Sequence, residues 1–271
     1  MADKIETMGI VNLTPDSFFS GSRCLDSDGR IRESWFEEHL MKMVEDGADI
    51  LDFGACSTRP GAKPAGEEEE WRRLSDSIVL ARKTCPETQF SIDTFRPEIV
   101  RKAYDLIGPF IVNDVSGGSE PMWNTVGELG LPYVAMHTCG TPDQPEMLQE
   151  DADVTAEVTS FFEMIEETAD RHGVRNWILD PGFGFSKSVE QNWELLRRMG
   201  SLRRFGKRIL AGLSRKSFLY RPLGIMPDEA MPATQTANLI ALQNGAGILR
   251  VHDVRPTVQT IRLYELSTGK F

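Results

Sequence analysis

The regular alternation of short β-type runs with longer helical patterns is the feature that most constrains the fold of this chain. Each apolar run of strand length lies near or before a stretch with helical spacing. Parallel strands need long crossover connections, so such alternation is typical of parallel α/β folds. The eight predicted strands cover residues 8–12, 49–54, 89–93, 110–114, 133–137, 177–180, 208–213 and 248–252.

The length of the chain agrees with eight strand–helix units. It has 271 residues, and a (β/α)8 barrel of the TIM type takes about 250. No linker or low-complexity segment interrupts the alternation. We therefore predict an α/β fold, a (β/α)8 TIM barrel that forms a single domain over residues 1–271. A doubly wound sheet shows the same alternation and is the structural alternative.

Helical spacing is clearest at residues 36–44, 71–81 and 154–169, where apolar residues recur every three or four positions. Gly47 lies where the C-terminal cap of the first of these helices belongs. The acidic run Glu67–Glu70 opens the second helix. We interpret this run as a complement to the positive end of the helix rather than as a site.

Composition limits the classes of partner. The net charge of -11 and the pI near 5.0 argue against nucleic acid, whose binders carry a basic face. A local arginine cluster can still bind an anionic substrate. The chain lacks an apolar run of 18 residues, so we expect no membrane span.

The N-terminus and the cysteines indicate a cytoplasmic protein. The opening residues MADKIETMGIV lack the apolar segment of a signal peptide. The cysteines are scattered and form no C-x-x-C pair, so we predict free thiols in a reducing compartment rather than disulfides or a zinc site. They are Cys24, Cys56, Cys85 and Cys139.

Polar residues gather at the carboxyl ends of the predicted strands. In a barrel these ends face one common pocket, which makes the repetition more informative than any single residue. The residues are Asn12, Asp93, Asn113, Asp114, His137, Asp180, Arg250 and His252. The carboxylates and the amide suit a flat heterocycle that is rich in N–H donors and carbonyls. Lys216 could donate to a carbonyl oxygen, although an exposed basic loop at Arg215-Lys216 is the alternative.

Three cationic side chains predict an anion site. Arg250 and His252 lie two apart on one strand, so their side chains point the same way. Arg59 follows the second strand in the segment STRPG, although a turn needs only Gly, Pro, Asn or Asp. Together they could hold a phosphate or pyrophosphate. A solvated Arg59 remains the alternative, and for His137 we favour a structural histidine.

Two other kinds of site do not fit the residues. A metal hydrolase on this fold needs clustered histidines, and the sequence has neither an H-x-H nor an H-E-x-x-H among His39, His137, His172 and His252. The segment DPGFGF at 180–185 lacks the full dinucleotide fingerprint G-x-G-x-x-G.

Eight motifs, in order along nearly the whole chain, resemble those of the dihydropteroate synthases. The most specific are NLTPDSF, STRPGA and SRKS, and the full set is MGIVNLTPDSF (8–18), DFGACSTRPGA (52–62), SIDT (91–94), VNDVSGG (112–118), MH (136–137), DPGFGF (180–185), GLSRKSF (212–218) and RVHDV (250–254). The resemblance implies a (β/α)8 barrel, usually a homodimer. It also implies an enzyme of folate biosynthesis and a sulfonamide target. The implied reaction joins 4-aminobenzoate to 6-hydroxymethyl-7,8-dihydropterin pyrophosphate, assisted by Mg²⁺, and gives 7,8-dihydropteroate and pyrophosphate.

The resemblance also implies the role of each matching residue. Asn12 corresponds to the ligand of the Mg²⁺–pyrophosphate, and Arg59, Arg250 and His252 complete the pyrophosphate site. The pterin ring would be held by Asp93, Asn113, Asp180, Lys216 and Arg250. The aminobenzoate or sulfonamide would be framed by Phe18, Thr58, Arg59, Pro60, Phe185, Lys216 and Ser217. The catalytic set would be Asp93, Lys216, Arg250, His252, Thr58 and Arg59.

One departure from the family pattern lies in the first loop, where Ser20 replaces the usual acidic residue and Asp16 is retained. Two alternatives therefore stay open. A methyltetrahydrofolate-binding methyltransferase would share the pterin residues but has no use for STRPGA or for the Arg-x-His pair. A paralogue that binds pterin without turning it over is supported only by the altered loop.

Overall fold

The computed structural model describes residues 4–14, 32–56, 65–141 and 144–269 of the chain. Several predictions fall outside these ranges. They concern Asp16, Phe18, Ser20, Cys24, Thr58, Arg59 and Pro60. The predicted roles of these residues therefore stay predictions.

Eight strands form one parallel sheet in the described residues, and a short antiparallel hairpin follows the fifth of them. In chain order the strands are β1 (Glu6–Asn12), β2 (Ile50–Gly54), β3 (Gln89–Asp93), β4 (Ile111–Asp114), β5 (Tyr133–Met136), the hairpin β6 (Gly140–Thr141) and β7 (Gln144–Pro145), then β8 (Trp177–Asp180), β9 (Leu210–Ala211) and β10 (Ile248–Val251). All eight strands predicted from the sequence are confirmed to within three residues at each end, and the hairpin was not predicted.

The sheet closes on itself. Its order is β8-β5-β4-β3-β2-β1-β10-β9, so the first and the last strands of the chain are neighbours. A parallel bridge between Leu179 and Ile209 links β8 to the start of β9, and the Leu179 N–H donates to the Arg208 carbonyl at 2.9 Å. The (β/α)8 barrel is therefore confirmed, and the doubly wound sheet, which leaves its edges open, is excluded.

Helices pack around the barrel. Those in the described residues are α1 (Glu33–Glu45), α2 (Glu67–Thr84), α3 (Pro97–Ile107), α4 (Glu120–Leu129), α5 (Val154–Arg171), α6 (Val189–Arg198), α7 (Ser217–Tyr220), α8 (Met231–Gln243) and α9 (Val254–Ser267), with 3-10 turns at Met199–Phe205 and Pro227–Glu229. The three segments predicted from spacing fall in α1, α2 and α5. Gly47 lies just beyond α1, as predicted, and its N–H donates to the Val44 carbonyl at 3.0 Å. No described helix is both long enough and apolar enough to span a lipid bilayer.

The two faces of each strand have different partners. Outward side chains such as Leu51 and Phe53 join the core between sheet and helices. Inward side chains form a separate buried cluster, the barrel floor, to which every strand of the eight-stranded sheet except β3 contributes one residue. The barrel floor consists of Met8, Ile50, Ile111, Val134, Ile178, Leu210 and Ile248. Two residues beyond this apolar layer, toward the carboxyl end of the barrel, the inward positions become polar, as at Asp52 and Asp180.

The interpretation of Glu67–Glu70 needs one correction. The run does open α2, with all four residues in its first turn. Glu70, however, is 1% exposed. It accepts a hydrogen bond from the Thr94 hydroxyl at 2.6 Å and forms an ion pair with Arg96. It therefore links α2 to the end of β3, a tertiary contact that charge pattern alone does not reveal.

The described cysteines carry free thiols, as predicted. Cys56 and Cys85 are buried and Cys139 is half-buried. Burial raises the pKa of the Cys85 thiol, which keeps it in the unreactive protonated form.

Candidate active site

Arg250 is the centre of the polar cluster above the barrel floor. Its Nε donates to Asp52 Oδ2 at 2.7 Å, and its Nη2 donates to Asp93 Oδ2 at 2.7 Å. The Asp52 side chain is fully buried, and the Arg250 side chain is 21% exposed. Burial by itself lowers the pKa of Arg250, but the two carboxylates outweigh it and raise that pKa further. The guanidinium is therefore a permanent cation that joins β10 to β2 and β3.

Asp52 was not predicted from the sequence. Besides Arg250 it binds Asn113, whose Nδ2 lies 3.3 Å from each carboxylate oxygen. Asn113 is 1% exposed, so this contact fixes its amide. A signal was available, because Asp is rare inside a strand and Asp52 follows Ile50 of the barrel floor by two residues. Its spacing places it on the inner face.

Asp180 ends β8 beside a tight turn. Its Oδ1 accepts a hydrogen bond from the Gly182 N–H at 2.8 Å. Gly182 has φ +70°, and a Cβ there would lie 1.9 Å from the His137 carbonyl oxygen, so only glycine fits. Burial raises the pKa of Asp180, while that N–H and the charges of Lys216 and Arg250 oppose the rise. Asp180 thus belongs to the same electrostatic cluster as Arg250.

Lys216 lies against the segment DPGFGF. Its Nζ donates to the Phe183 carbonyl and lies 4.1 Å from the centre of the Phe185 ring. A Cβ on Gly184 would lie 2.6 Å from Lys216 Cδ, so this glycine allows the close approach. Burial lowers the pKa of Lys216 to about 8, against the opposing carboxylates of Asp180 and Asp93. Lys216 and Phe185 therefore meet, as the proposed second-substrate pocket requires.

The alternative of an exposed basic loop at Arg215-Lys216 is wrong. The Arg215 side chain is only 10% exposed. It makes a two-pronged contact with Asp253, with Nε–Oδ2 at 3.0 Å and Nη2–Oδ1 at 2.9 Å. This contact ties the segment before α7 to the segment before α9, so the backbone immediately before Lys216 is anchored.

The remaining predicted residues lie at the same end of the barrel. His252 follows β10, and its Nδ1 lies 3.0 Å from the Ser214 hydroxyl. Ser217 is the first residue of α7, next to Lys216. Asn12 ends β1 in a row of strand partners that continues through Gly54 and Asp93 to Asn113.

The cluster holds more negative than positive groups. Three carboxylates, Asp52, Asp93 and Asp180, share two cations, Arg250 and Lys216. Burial is the largest influence on Asp93 and raises its pKa to about 7, helped by the neighbouring carboxylates and opposed by Arg250. Such a site offers acceptors to the N–H groups of a heterocycle and a fixed cation to an anion.

Two polar residues near the strand ends, Asp114 and His137, are bound to other protein groups rather than facing the cluster around Arg250. Asp114 is fully buried and accepts hydrogen bonds from Ser116 and from the Tyr133 hydroxyl. His137 is 5% exposed, and its Nδ1 lies 2.9 Å from Lys187 Nζ. These contacts agree with the interpretation of His137 as a structural histidine. Lys187 itself was not predicted, because the sequence gives no sign of its burial.

The described residues do not form a metal centre from protein side chains alone. They contain no group of three or more His, Cys, Asp or Glu side chains that could hold a metal ion. Mg²⁺ usually takes one or two protein oxygens and completes its shell with waters and substrate phosphates. The Asn12 amide oxygen at the barrel mouth fits that pattern as a single ligand, which suits an ion that binds together with pyrophosphate.

Comparisons with known proteins agree with this geometry. A sequence profile described as "Pterin binding enzyme" matches residues 8–252. The dihydropteroate synthase of Escherichia coli K12 is 38% identical over 265 residues, which cover 95% of this chain and 90% of that protein.

Solved structures give the same result. Xanthomonas albilineans dihydropteroate synthase with 4-aminobenzoic acid has a TM-score of 0.88 at 36% identity, covering 98% of this chain and 94% of that one. Yersinia pestis dihydropteroate synthase in a sulfonamide complex has a TM-score of 0.88 at 30% identity, covering 98% and 95%. The chain therefore belongs to the pterin-binding enzymes and, among them, to the dihydropteroate synthases.

Proposed function

We propose that this transferase condenses 6-hydroxymethyl-7,8-dihydropterin pyrophosphate with 4-aminobenzoate to give 7,8-dihydropteroate and pyrophosphate. The observation that carries the proposal is Arg250, whose guanidinium is shared by Asp52 and Asp93 in one cluster with Asp180 and Lys216. It combines acceptors for a pterin with a cation for its leaving group. Family membership supplies the substrates.

The contacts support different roles for the residues of the cluster toward the pterin and the pyrophosphate. Asp93, Asn113 and Asp180 would accept hydrogen bonds from the pterin N–H groups, and Lys216 would donate to its carbonyl oxygen. Arg250 already uses Nε and Nη2 on carboxylates. We therefore assign the N–H groups on Nη1 to the pyrophosphate, because a guanidinium carries five donors. His252, Arg59 and Asn12 would complete the anion site.

The reaction needs positioning and charge stabilisation more than a nucleophilic residue. The amine nitrogen forms a bond to the pterin methylene carbon, while the carbon–oxygen bond breaks and pyrophosphate leaves with the electron pair. The amine then loses one proton. The unprotonated aromatic amine of 4-aminobenzoate is itself a nucleophile, so no covalent intermediate with the protein is required. Arg250 and His252 would stabilise the charge that develops on the leaving group.

Asn12 would hold Mg²⁺ together with the pyrophosphate. When bound, the ion would neutralise phosphate charge as the leaving group departs. The family resemblance further supports a homodimer in the cytoplasm, and 4-aminobenzoate analogues of the sulfonamide class as inhibitors. The aminobenzoate would be framed by Phe18, Thr58, Arg59, Pro60, Phe185, Lys216 and Ser217.

A pyrophosphate-release assay tests the function. Dihydropterin pyrophosphate is supplied in Mg²⁺ with and without 4-aminobenzoate, and the product is identified by mass. Release that depends on the amine and yields dihydropteroate is the expected result, and it would show that Ser20 suffices in the first loop. Pterin binding without amine-dependent release would contradict the proposal and favour a silent paralogue.

A further inference from the structure

Lys187 is a buried lysine that the reaction itself does not use. The residue is only 6% exposed. Its Nζ lies 2.9 Å from His137 Nδ1, 3.0 Å from the Gly182 carbonyl and 3.2 Å from the Phe185 carbonyl. An ammonium group has three N–H donors, and these three acceptors are its shortest contacts, with the His137 carbonyl as a fourth at 3.5 Å. Two of the acceptors belong to the turn that follows Asp180.

The protonation states of His137 and Lys187 favour the hydrogen bond between them. Burial, followed by the charge of Lys187, lowers the pKa of His137 to about 3. Burial also lowers the pKa of Lys187, to about 7. The shared proton therefore rests on the lysine, and His137 Nδ1 stays an acceptor near neutral pH. A neutral lysine amine would still keep two N–H donors.

The turn held by Lys187 contacts Lys216 at three points. The Phe183 carbonyl accepts a hydrogen bond from Lys216 Nζ, and the Phe185 ring lies 4.1 Å from the same atom. Gly184 lies against the Lys216 side chain. A second tether comes from Asn192, whose Oδ1 accepts from the Gly184 N–H at 2.6 Å. The position of the Lys216 ammonium thus depends on the shape of this turn.

We propose that Lys187 is a positioning residue for the second-substrate pocket, fixing the turn of residues 182–186 so that Phe183 and Phe185 hold Lys216 in place. The proposal rests on the proposed function, because the roles of Phe185 and Lys216 toward 4-aminobenzoate come from it. Lys187 touches neither substrate in this scheme. Its effect reaches the reaction through Lys216.

The test compares Lys187→Met with a matched control, Lys207→Met. Methionine keeps the unbranched chain of lysine as far as Cε but has no terminal nitrogen and so no N–H donors. Lys207 also donates to a carbonyl, that of Arg175 at 3.0 Å, and lies 5.4 Å from the Trp177 ring, but it precedes β9 at the opposite end of the barrel. For Lys187→Met we expect the KM for 4-aminobenzoate to rise about tenfold, because that pocket loses both Phe185 and Lys216. The KM for dihydropterin pyrophosphate should rise less, by about threefold, because Asp93, Asn113 and Asp180 still hold the pterin when Lys216 shifts. The control should change neither KM.

A second measurement does not depend on turnover. Hydrogen exchange followed by mass spectrometry should show faster exchange over residues 182–186 in Lys187→Met than in wild type, and no change there in the control. If Lys187→Met does not fold, Lys187→Gln takes its place, because glutamine retains two N–H donors on a shorter side chain.

The outcomes separate this proposal from the proposed function. A lower melting temperature with both KM values unchanged, or with both raised equally, would overturn the positioning role. Unchanged exchange over residues 182–186 would overturn it as well. If wild type releases no pyrophosphate with the amine, the proposed function fails, and the exchange comparison still decides whether Lys187 fixes the turn.

Discussion

Asp180 ends β8 and Asp114 ends β4 of the same barrel, yet the two carboxylates have different surroundings. Asp180 is 6% exposed and Asp114 is fully buried, and burial raises the pKa of each. Asp180 lies among the charges of Lys216 and Arg250. Asp114 is satisfied by neutral donors, the Ser116 N–H and hydroxyl and the Tyr133 hydroxyl, at 2.6–2.8 Å. Only Asp180 is available to a ligand in the barrel.

Strand parity explains the difference. Asp180 follows Ile178 of the barrel floor by two residues, so it points inward. Asp114 is one residue out of step with Ile111 and Asn113, so it points outward toward Tyr133 on β5. A buried carboxylate with a raised pKa at a strand end is therefore not by itself evidence of a ligand site. The side chain must also point to the inner face of the barrel. The predictions below test this distinction between inner and outer residues.

The largest effect is expected at Arg250. Arg250→Ala should lower kcat/KM about 1000-fold, because a preorganised donor to the leaving group contributes a factor of about 10²–10³. Steady-state kinetics measure the loss, and circular dichroism checks that the barrel remains folded. Asp52 and Asp93 would lose their cation, so the unfolding free energy should fall by about 3 kcal/mol. An unchanged kcat/KM would contradict the anion-site assignment.

Asp180→Ala should weaken the binding of dihydropterin pyrophosphate about 100-fold, because a hydrogen bond to a charged group contributes about 1.5–3 kcal/mol. Calorimetry measures the affinity. Asp180→Asn is the control for backbone structure, since an amide oxygen can still accept from the Gly182 N–H. Unaltered affinity in Asp180→Ala would remove this residue from the pterin site.

Asp93 should make stability depend on pH. Its folded pKa of about 7 lies above the ordinary value of 3.8. Between these values the folded state holds a proton that the unfolded chain releases, so the unfolding free energy should fall as pH rises from about 4 to about 7, by at most about 1.4 kcal/mol per pH unit. Urea denaturation of wild type and Asp93→Asn over that range measures the difference. Parallel pH profiles for the two proteins would argue against a protonated Asp93.

The smallest effect on activity is expected at Asp114. Asp114→Asn should leave kcat and both KM values within about twofold, because the side chain faces away from the polar cluster around Arg250. It should lower the unfolding free energy by about 1–3 kcal/mol, since one buried donor loses its partner. Kinetics and urea denaturation measure the two quantities separately. A large loss of kcat/KM in a stably folded Asp114→Asn would break the distinction between inner and outer faces.

The fold could be predicted because its signals are local. Strand runs, helical spacing and the cap at Gly47 all depend on neighbours within about ten residues, and the structure confirms each of them. The inner residues Asp93, Asn113, Asp180 and Arg250 could be proposed for the same reason. Asp52 and Lys187 were missed because their importance depends on partners far away in sequence, Arg250 and His137.

Sequence by itself determined the alternation of elements, the order of the motifs and the residue types available at the strand ends, because each is written in consecutive positions. Tertiary structure alone decided which carboxylates share Arg250, that Arg215 is anchored by Asp253, and that Glu70 is a buried tether rather than only a helix-end charge. The physical reason is that closing the barrel brings distant strands together, and the resulting burial fixes which charges must pair.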